Sequence, residues 1–191
     1  MCRGRRTRSR FVDTHAARPR ASQPHGGTMV RPSVEAALEQ TLSLAVPAMT
    51  AMFRDPWCVI GSAALALYGV DVAPKDVDVL TSMRDADAAI AHWAASRRAE
   101  FRPVDDARFR SRFARFGFAP LDVEVMGRLE VNDGRAWREV VVDSMRYVAV
   151  ANVKVPVPSP LALERMLRLF GRRKDLERAA LLRRRFDVLS G

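Results

Sequence analysis

Asp76 and Asp78 stand either side of one valine in the run Asp76-Val77-Asp78-Val79-Leu80. Acidic and apolar residues alternate here, the pattern of a strand with one buried face. The two carboxylates therefore project from one side while Val77 and Val79 enter the core. Their Cα atoms are expected roughly 6.5–7 Å apart. Carboxylates at that spacing reach one shared divalent cation or two neighbouring ones, and paired cations in phosphoryl-transfer sites sit about 3.5–4 Å apart. Oxygen donors select a hard cation that completes its shell with phosphate and water, so Mg2+ is the expected ion, with two ions the expected number.

A second unit lies upstream. Trp57-Cys58-Val59-Ile60 reads as a short buried strand delivered to Gly61-Ser62, and thirteen residues separate Ser62 from Asp76. Glycine allows a tight turn with the backbone close to a ligand. Ser62 opens a small-residue helix whose free N–H groups favour phosphate, and its hydroxyl adds a donor. Downstream, Leu121-Asp122-Val123-Glu124-Val125 alternates in the same way. Asp122 and Glu124 share its polar face, and either one completes a third-carboxylate position able to take the proton of an attacking hydroxyl. Asp122 is slightly favoured, as the shorter group that matches the other two.

These residues need elements to hold them. Residues 33–54 read as a helix capped by Ser33, with Pro47 kinking or dividing it. Residues 63–68 read as a helix ended by Gly69, and residues 70–75 as a loop. Residues 76–80 form the acidic strand. Ser82 caps a helix over 83–98, with Asp85 as a weak capping-box partner. Strand patterns follow over 109–118, 121–126, 137–142 and 147–155, and Pro156, Pro158 and Pro160 end the sheet. Two helices, 161–170 and 175–189, are parted near Gly171. The expected architecture is α/β (α+β in some schemes), a mixed sheet flanked by helices with C-terminal helices.

Composition sets outer bounds. The chain has 191 residues, 48% of them hydrophobic, enough for one globular domain. Its net charge is +10, but residues 1–28 carry seven arginines against one aspartate. Residues 1–32 therefore read as a basic, disordered tail, and 33–191 as the folded domain, with its C-terminal helical segment at 160–190. Met29 reads as an alternative translation start. The tail, or the C-terminal segment 160–191 with nine Lys and Arg against four Asp and Glu, permits nucleic-acid contact. The two cysteines, Cys2 and Cys58, exclude a disulfide framework and a zinc site, and a reducing, cytoplasmic setting is expected. Arg5-Arg6 lacks the apolar run of a twin-arginine signal, and no stretch reaches a membrane-spanning length. His15, His25 and His92 are scattered and read as neither ligand nor base, and the three tryptophans read as core.

Gly61-Ser62, a spacer of this length, then Asp76-Val77-Asp78 resembles the signature of the DNA polymerase beta-like nucleotidyltransferase superfamily. The run from Leu121 to Gly127 is similar to that superfamily's third-carboxylate strand. Gly171-Arg172-Arg173-Lys174-Asp175-Leu176 resembles the turn before a final helix in small bacterial members of the toxin–antitoxin and antibiotic-modifying types. The resemblance covers residues 34–190. It implies transfer of a nucleoside monophosphate from a triphosphate, ATP or another, to a hydroxyl, with pyrophosphate released. The acceptor is left open among a small molecule, a protein side chain and an RNA end.

The matching positions are Gly61, Ser62, Asp76, Asp78 and either Asp122 or Glu124. Many small members carry Arg and Thr where this chain has Val72 and Pro74, and Lys75 is the phosphate contact that would compensate. That departure supports the alternative of a non-catalytic nucleotide-, RNA- or partner-binding protein of antitoxin type. Arg110 and Arg112 read equally as a triphosphate clamp and as the basic outer face of an edge strand. Arg172, Arg173 and Lys174 read as phosphate contacts or as complements to the preceding helix C-terminus, with the helix-end role favoured for the two arginines and the phosphate role kept for Lys174.

Overall fold

The computed structural model describes residue 1 and residues 33–99 and 107–190. The expected tail, residues 1–32, lies almost wholly outside the described residues. All elements fall in the unit Pro32–Gly191.

Helix α1 (Val34–Met52) is capped as its sequence predicts: Ser33 Oγ accepts from the Ala36 N–H at 3.2 Å. Pro47 lies inside α1 and does not divide it. Val46 and Met49 are both buried, so packing on either side of the proline holds the helix across the missing hydrogen bond. Thr41, also buried, accepts from the Leu121 N–H at 3.1 Å and so pins α1 to the start of the second acidic strand.

The sheet has the order β1 (Cys58–Ile60), β2 (Asp76–Thr81), β4 (Asp122–Asn132), β3 (Phe109–Phe116), with β5 (Trp137–Glu139) also pairing with β4. β2 and β4 run parallel, and β1 with β2 and β3 with β4 run antiparallel. This is the mixed sheet expected. Helix α2 (Gly61–Leu67) links β1 to β2 through the 68–75 loop. Val72 packs against the core and Pro74 is buried, so this loop is anchored by apolar contact.

Helix α3 (Met83–His92) is shorter than the predicted 83–98. Past Trp93 and a 3-10 turn at Ala94–Ser96, the Arg98 N–H donates to the Arg115 carbonyl and the Gly117 N–H to the Ser96 carbonyl. Pairing with β3 thus takes over from the helix. Asp85 is not a capping-box partner through its side chain: one carboxylate oxygen accepts from the Arg54 and Asp55 N–H groups at 2.9 and 2.7 Å. It ties the chain just before β1 to α3. Gly127 of β4 lets α3 approach closely, since a Cβ there would overlap Ala86 and the backbone of Ser82.

Two readings of the C-terminal half are corrected. The predicted strand over 147–155 is a hairpin, β6 (Met145–Val150) and β7 (Val153–Pro158), turning at Ala151 with φ 46°. Pro156 sits within β7 and Pro158 is its last paired residue, so the strand runs through the first proline and ends on the second. They are two apart, so their missing N–H groups lie on one edge of a strand that has a hydrogen-bonded partner on one side only. Helices α4 (Pro160–Phe170) and α5 (Arg173–Ser190) follow, parted at Gly171 as expected.

Candidate active site

The parallel pairing of β2 with β4 sets Asp76 opposite Asp122 and Asp78 opposite Glu124. Four carboxylates read separately in the sequence thus form one square on one face of the sheet. The valines between them are fully buried on the other face. Ile60 is the β1 partner of Asp78, which brings Gly61 against the Asp78 carboxylate. Gly61 has φ 64°, a conformation in which side chains are strained, and a Cβ there would overlap Asp78 Oδ2. Ser62 follows in the first turn of α2 and is buried.

The square is closed by a residue that sequence reasoning did not single out. Arg115 of β3 is the antiparallel partner of Glu124. Its Nε donates to Asp122 Oδ2 at 2.8 Å and its terminal nitrogen to Glu124 Oε1 at 2.7 Å, with Asp76 Oδ2 at 3.9 Å. Burial opposes the Arg115 charge, but the hydrogen bond to Asp122 and the charges of Glu124, Asp122 and Asp76 outweigh it and raise its pKa.

Asp78 is pushed up to about 8, first by burial and then by the charges of Asp76 and Glu124, while Arg172 and Arg178 act against the rise. Glu124 is also raised, by burial and then by Asp76, with Arg115 and a hydrogen bond from Asp78 opposing. Burial and mutual repulsion thus act in the same direction on both carboxylates, making each harder to ionise.

Arg178 was also missed, and it acts together with Arg172, which the sequence placed in a basic turn. Their charges reach Asp78 from the C-terminal helical segment. Arg172 is held by the buried Asp175 through contacts of 2.6 and 3.1 Å, and its guanidinium lies 4.7 Å over the Phe109 ring. The α4 C-terminus is met by Arg108, whose Nη1 donates to the Phe170 carbonyl at 2.9 Å, while Arg172 pairs with Asp175 in the first turn of α5. Lys174 is exposed.

Arg110 and Arg112 lie away from the carboxylates. Arg110 bonds Glu130 at 2.6 Å and lies 4.3 Å over Trp137, and Arg112 bonds Asp87 of α3 at 2.6 Å. Arg112 pairs with Gly127, the residue on which α3 packs, so both arginines occupy the α3 side of the sheet. Lys75, just before β2, is exposed.

The donor set suits a hard divalent cation in chemistry, being all carboxylate oxygen. Its present spacing suits Arg115: among the described residues no three His, Cys, Asp or Glu side chains converge closely enough to hold a metal ion. Hydrogen-bonding distances near 2.7 Å around a planar fork leave the oxygens wider apart than the 2.0–2.1 Å shell of magnesium requires.

Comparison with solved structures agrees with this topology. A candidate nucleotidyltransferase of Thermotoga maritima superposes with a TM-score of 0.57 at 23% identity, covering 76% of this chain and 91% of its own. The chain has a nucleotidyltransferase fold. An antigenic nucleotidyltransferase-like protein of Paracoccidioides brasiliensis matches with a TM-score of 0.49 at 15% identity, covering 76% of this chain and 75% of its own. No protein-family model and no curated protein matches this sequence. Among the described residues of this nucleotidyltransferase fold, no helix is long and apolar enough to cross a membrane.

Proposed function

We propose that the protein is a magnesium-dependent nucleotidyltransferase that transfers a nucleoside monophosphate from a nucleoside triphosphate to a hydroxyl acceptor. The observation that carries this reading is the register that sets Asp76 and Asp78 against Asp122 and Glu124, with Gly61 at its edge. Asp76 and Asp78, with Asp122 or Glu124, would hold the cation, whose chemistry is to neutralise the triphosphate. Gly61 and Ser62 offer backbone N–H groups to the β- and γ-phosphates. Arg172 and Arg178 supply positive charge on the same side and draw the anionic tail toward the cluster.

The acceptor oxygen forms a bond to the α-phosphorus as the bond to the bridging oxygen of pyrophosphate breaks. The hydroxyl proton passes to the free carboxylate of the Asp122 and Glu124 pair. Most of the catalytic effect is positioning and charge neutralisation.

The test is transfer of label from each α-labelled triphosphate to pools of small molecules, protein and RNA. The wild type should label one pool with one nucleotide when magnesium is present, and Asp76→Ala/Asp78→Ala should not. Equal labelling by the double variant would end this reading.

A second reading is a nucleotide-binding protein without turnover. Two observations favour it: Arg115 spans the carboxylates, and the 70–75 loop presents Val72, packed against the core, and the buried Pro74 in place of polar side chains. It predicts nucleotide binding with no transfer to any pool.

A further inference from the structure

The geometry points to Arg115 as an internal cation that occupies the metal position of the carboxylate square and must be displaced before a divalent ion binds. This rests on the metal-site reading above. One guanidinium touches Asp122 and Glu124 at hydrogen-bond distance and approaches Asp76, so it contacts three of the four carboxylates that a metal would need. Two of those carboxylates are held apart by the width of the fork. That spread explains why a group of donors with the right chemistry does not converge on a point.

The placement is built into the fold. Arg115 is the register partner of Glu124, and its side chain is 18% exposed, comparable with the 24% of Asp122 and 12% of Glu124. It is thus packed into the cluster like its partners, unlike the arginines of rim ion pairs such as Arg112, which is 44% exposed. Four carboxylates within one square repel one another, and without a cation the repulsion would open the β2–β4 edge. Arg115 supplies the cation when none comes from solution. A divalent ion bringing twice the charge competes for the same oxygens, and charge-assisted bonds to the guanidinium have to break first. Cation affinity is therefore set low by the chain itself. Arrival of a triphosphate offers the displaced guanidinium a new anionic partner, so metal and nucleotide should bind cooperatively.

The experiment is calorimetric titration of Mn2+ into the wild type, Arg115→Gln and Arg115→Lys, with folding checked by circular dichroism. Arg115→Gln removes the competing charge and keeps hydrogen-bonding capacity. It should bind Mn2+ roughly tenfold more tightly than the wild type, the gain expected when about one charge-assisted bond no longer has to break. Arg115→Lys, which keeps the charge but loses the fork, should fall between them.

A second readout needs no variant to fold well. The Arg115 Nε–H resonance of the 15N-labelled wild type should shift as Mg2+ is added and saturate with the calorimetric affinity. Equal or weaker Mn2+ binding by Arg115→Gln, or an Arg115 resonance that stays fixed while Mg2+ binds, overturns the inference and leaves the metal site standing. Absence of cation binding in both wild type and Arg115→Gln overturns the metal site and this inference with it.

Discussion

Gly61 and Asp78 are so close that no other residue type fits at position 61 without moving the carboxylate. The left-handed φ of 64° at Gly61 adds a backbone reason to the steric one. Gly61→Ala should therefore lose about 1–3 kcal/mol of stability and displace Asp78. Urea denaturation of the single variants and of Gly61→Ala/Asp78→Ala checks this. The double variant should recover part of the loss, because the overlap is relieved while the strain remains. Strict additivity would contradict a contact between the two.

Asp78 makes stability depend on pH in an unusual direction for a carboxylate. Its folded pKa of about 8 lies above the unfolded value near 3.9, so between these limits the folded chain holds a proton that the unfolded chain has released. The unfolded state binds fewer protons, and this group's contribution to stability falls as pH rises from about 4 to about 8. Without metal, Asp78→Asn should melt ~5 °C or more above the wild type at pH 8.5, and the two should converge near pH 4. A variant that melts below the wild type at pH 8.5 would show that the site carries no such repulsion.

Arg172 and Arg178, rather than Arg110 and Arg112, should govern nucleotide affinity. Arg172→Ala is expected to weaken binding roughly tenfold, the loss of about one charge-assisted contact. Arg110→Ala and Arg112→Ala, on the α3 side, should leave it unchanged. Fluorescent-nucleotide titration at fixed ionic strength separates these outcomes.

Asp85 is a structural carboxylate. It is 1% exposed and accepts two backbone N–H groups on one oxygen. Asp85→Ala leaves both donors unpaired and should cost about 2–4 kcal/mol in equilibrium unfolding. A loss below about 0.5 kcal/mol would mean that solvent replaces the carboxylate.

The Cys58 thiol should be inert. Burial pushes its pKa up to about 12, so at pH 8 almost none is thiolate. In a Cys2→Ser background, a thiol reagent at pH 8 should react only after denaturant is added.

The carboxylates were legible in the sequence because strand alternation carries face information, and Gly61 because it stands between an apolar run and a small-residue helix. The arginines were not, because their faces depend on register. Arg110, Arg112 and Arg115 all lie in one strand, yet an odd step separates Arg115 from the others. β4 also carries an extra residue where Arg128 adopts φ 49°, and the β3 register shifts there between Arg110 and Arg112. A usable signal was the short link from Phe116 to Asp122: counting back through a hairpin sets Arg115 opposite Glu124. Arg172 was legible as part of a basic turn, but its direction depends on the buried Asp175 and the Phe109 ring, which only the fold brings together. Pro156 of β7 misled for a related reason, since a strand paired on one side tolerates it.

The central claim, a metal-dependent nucleotide site on the carboxylate square, is tested most directly by thermal shift with each of the four nucleoside triphosphates, with and without magnesium. Wild type and Asp76→Ala/Asp78→Ala are compared. A nucleotide at a hundred times its dissociation constant should stabilise the wild type by about 2.7 kcal/mol. At this chain length that is a rise of roughly 5–10 °C. The predicted result is a magnesium-dependent rise with at least one nucleotide that is absent from the double variant. No rise with any nucleotide, or a rise that the double variant keeps, would contradict the account.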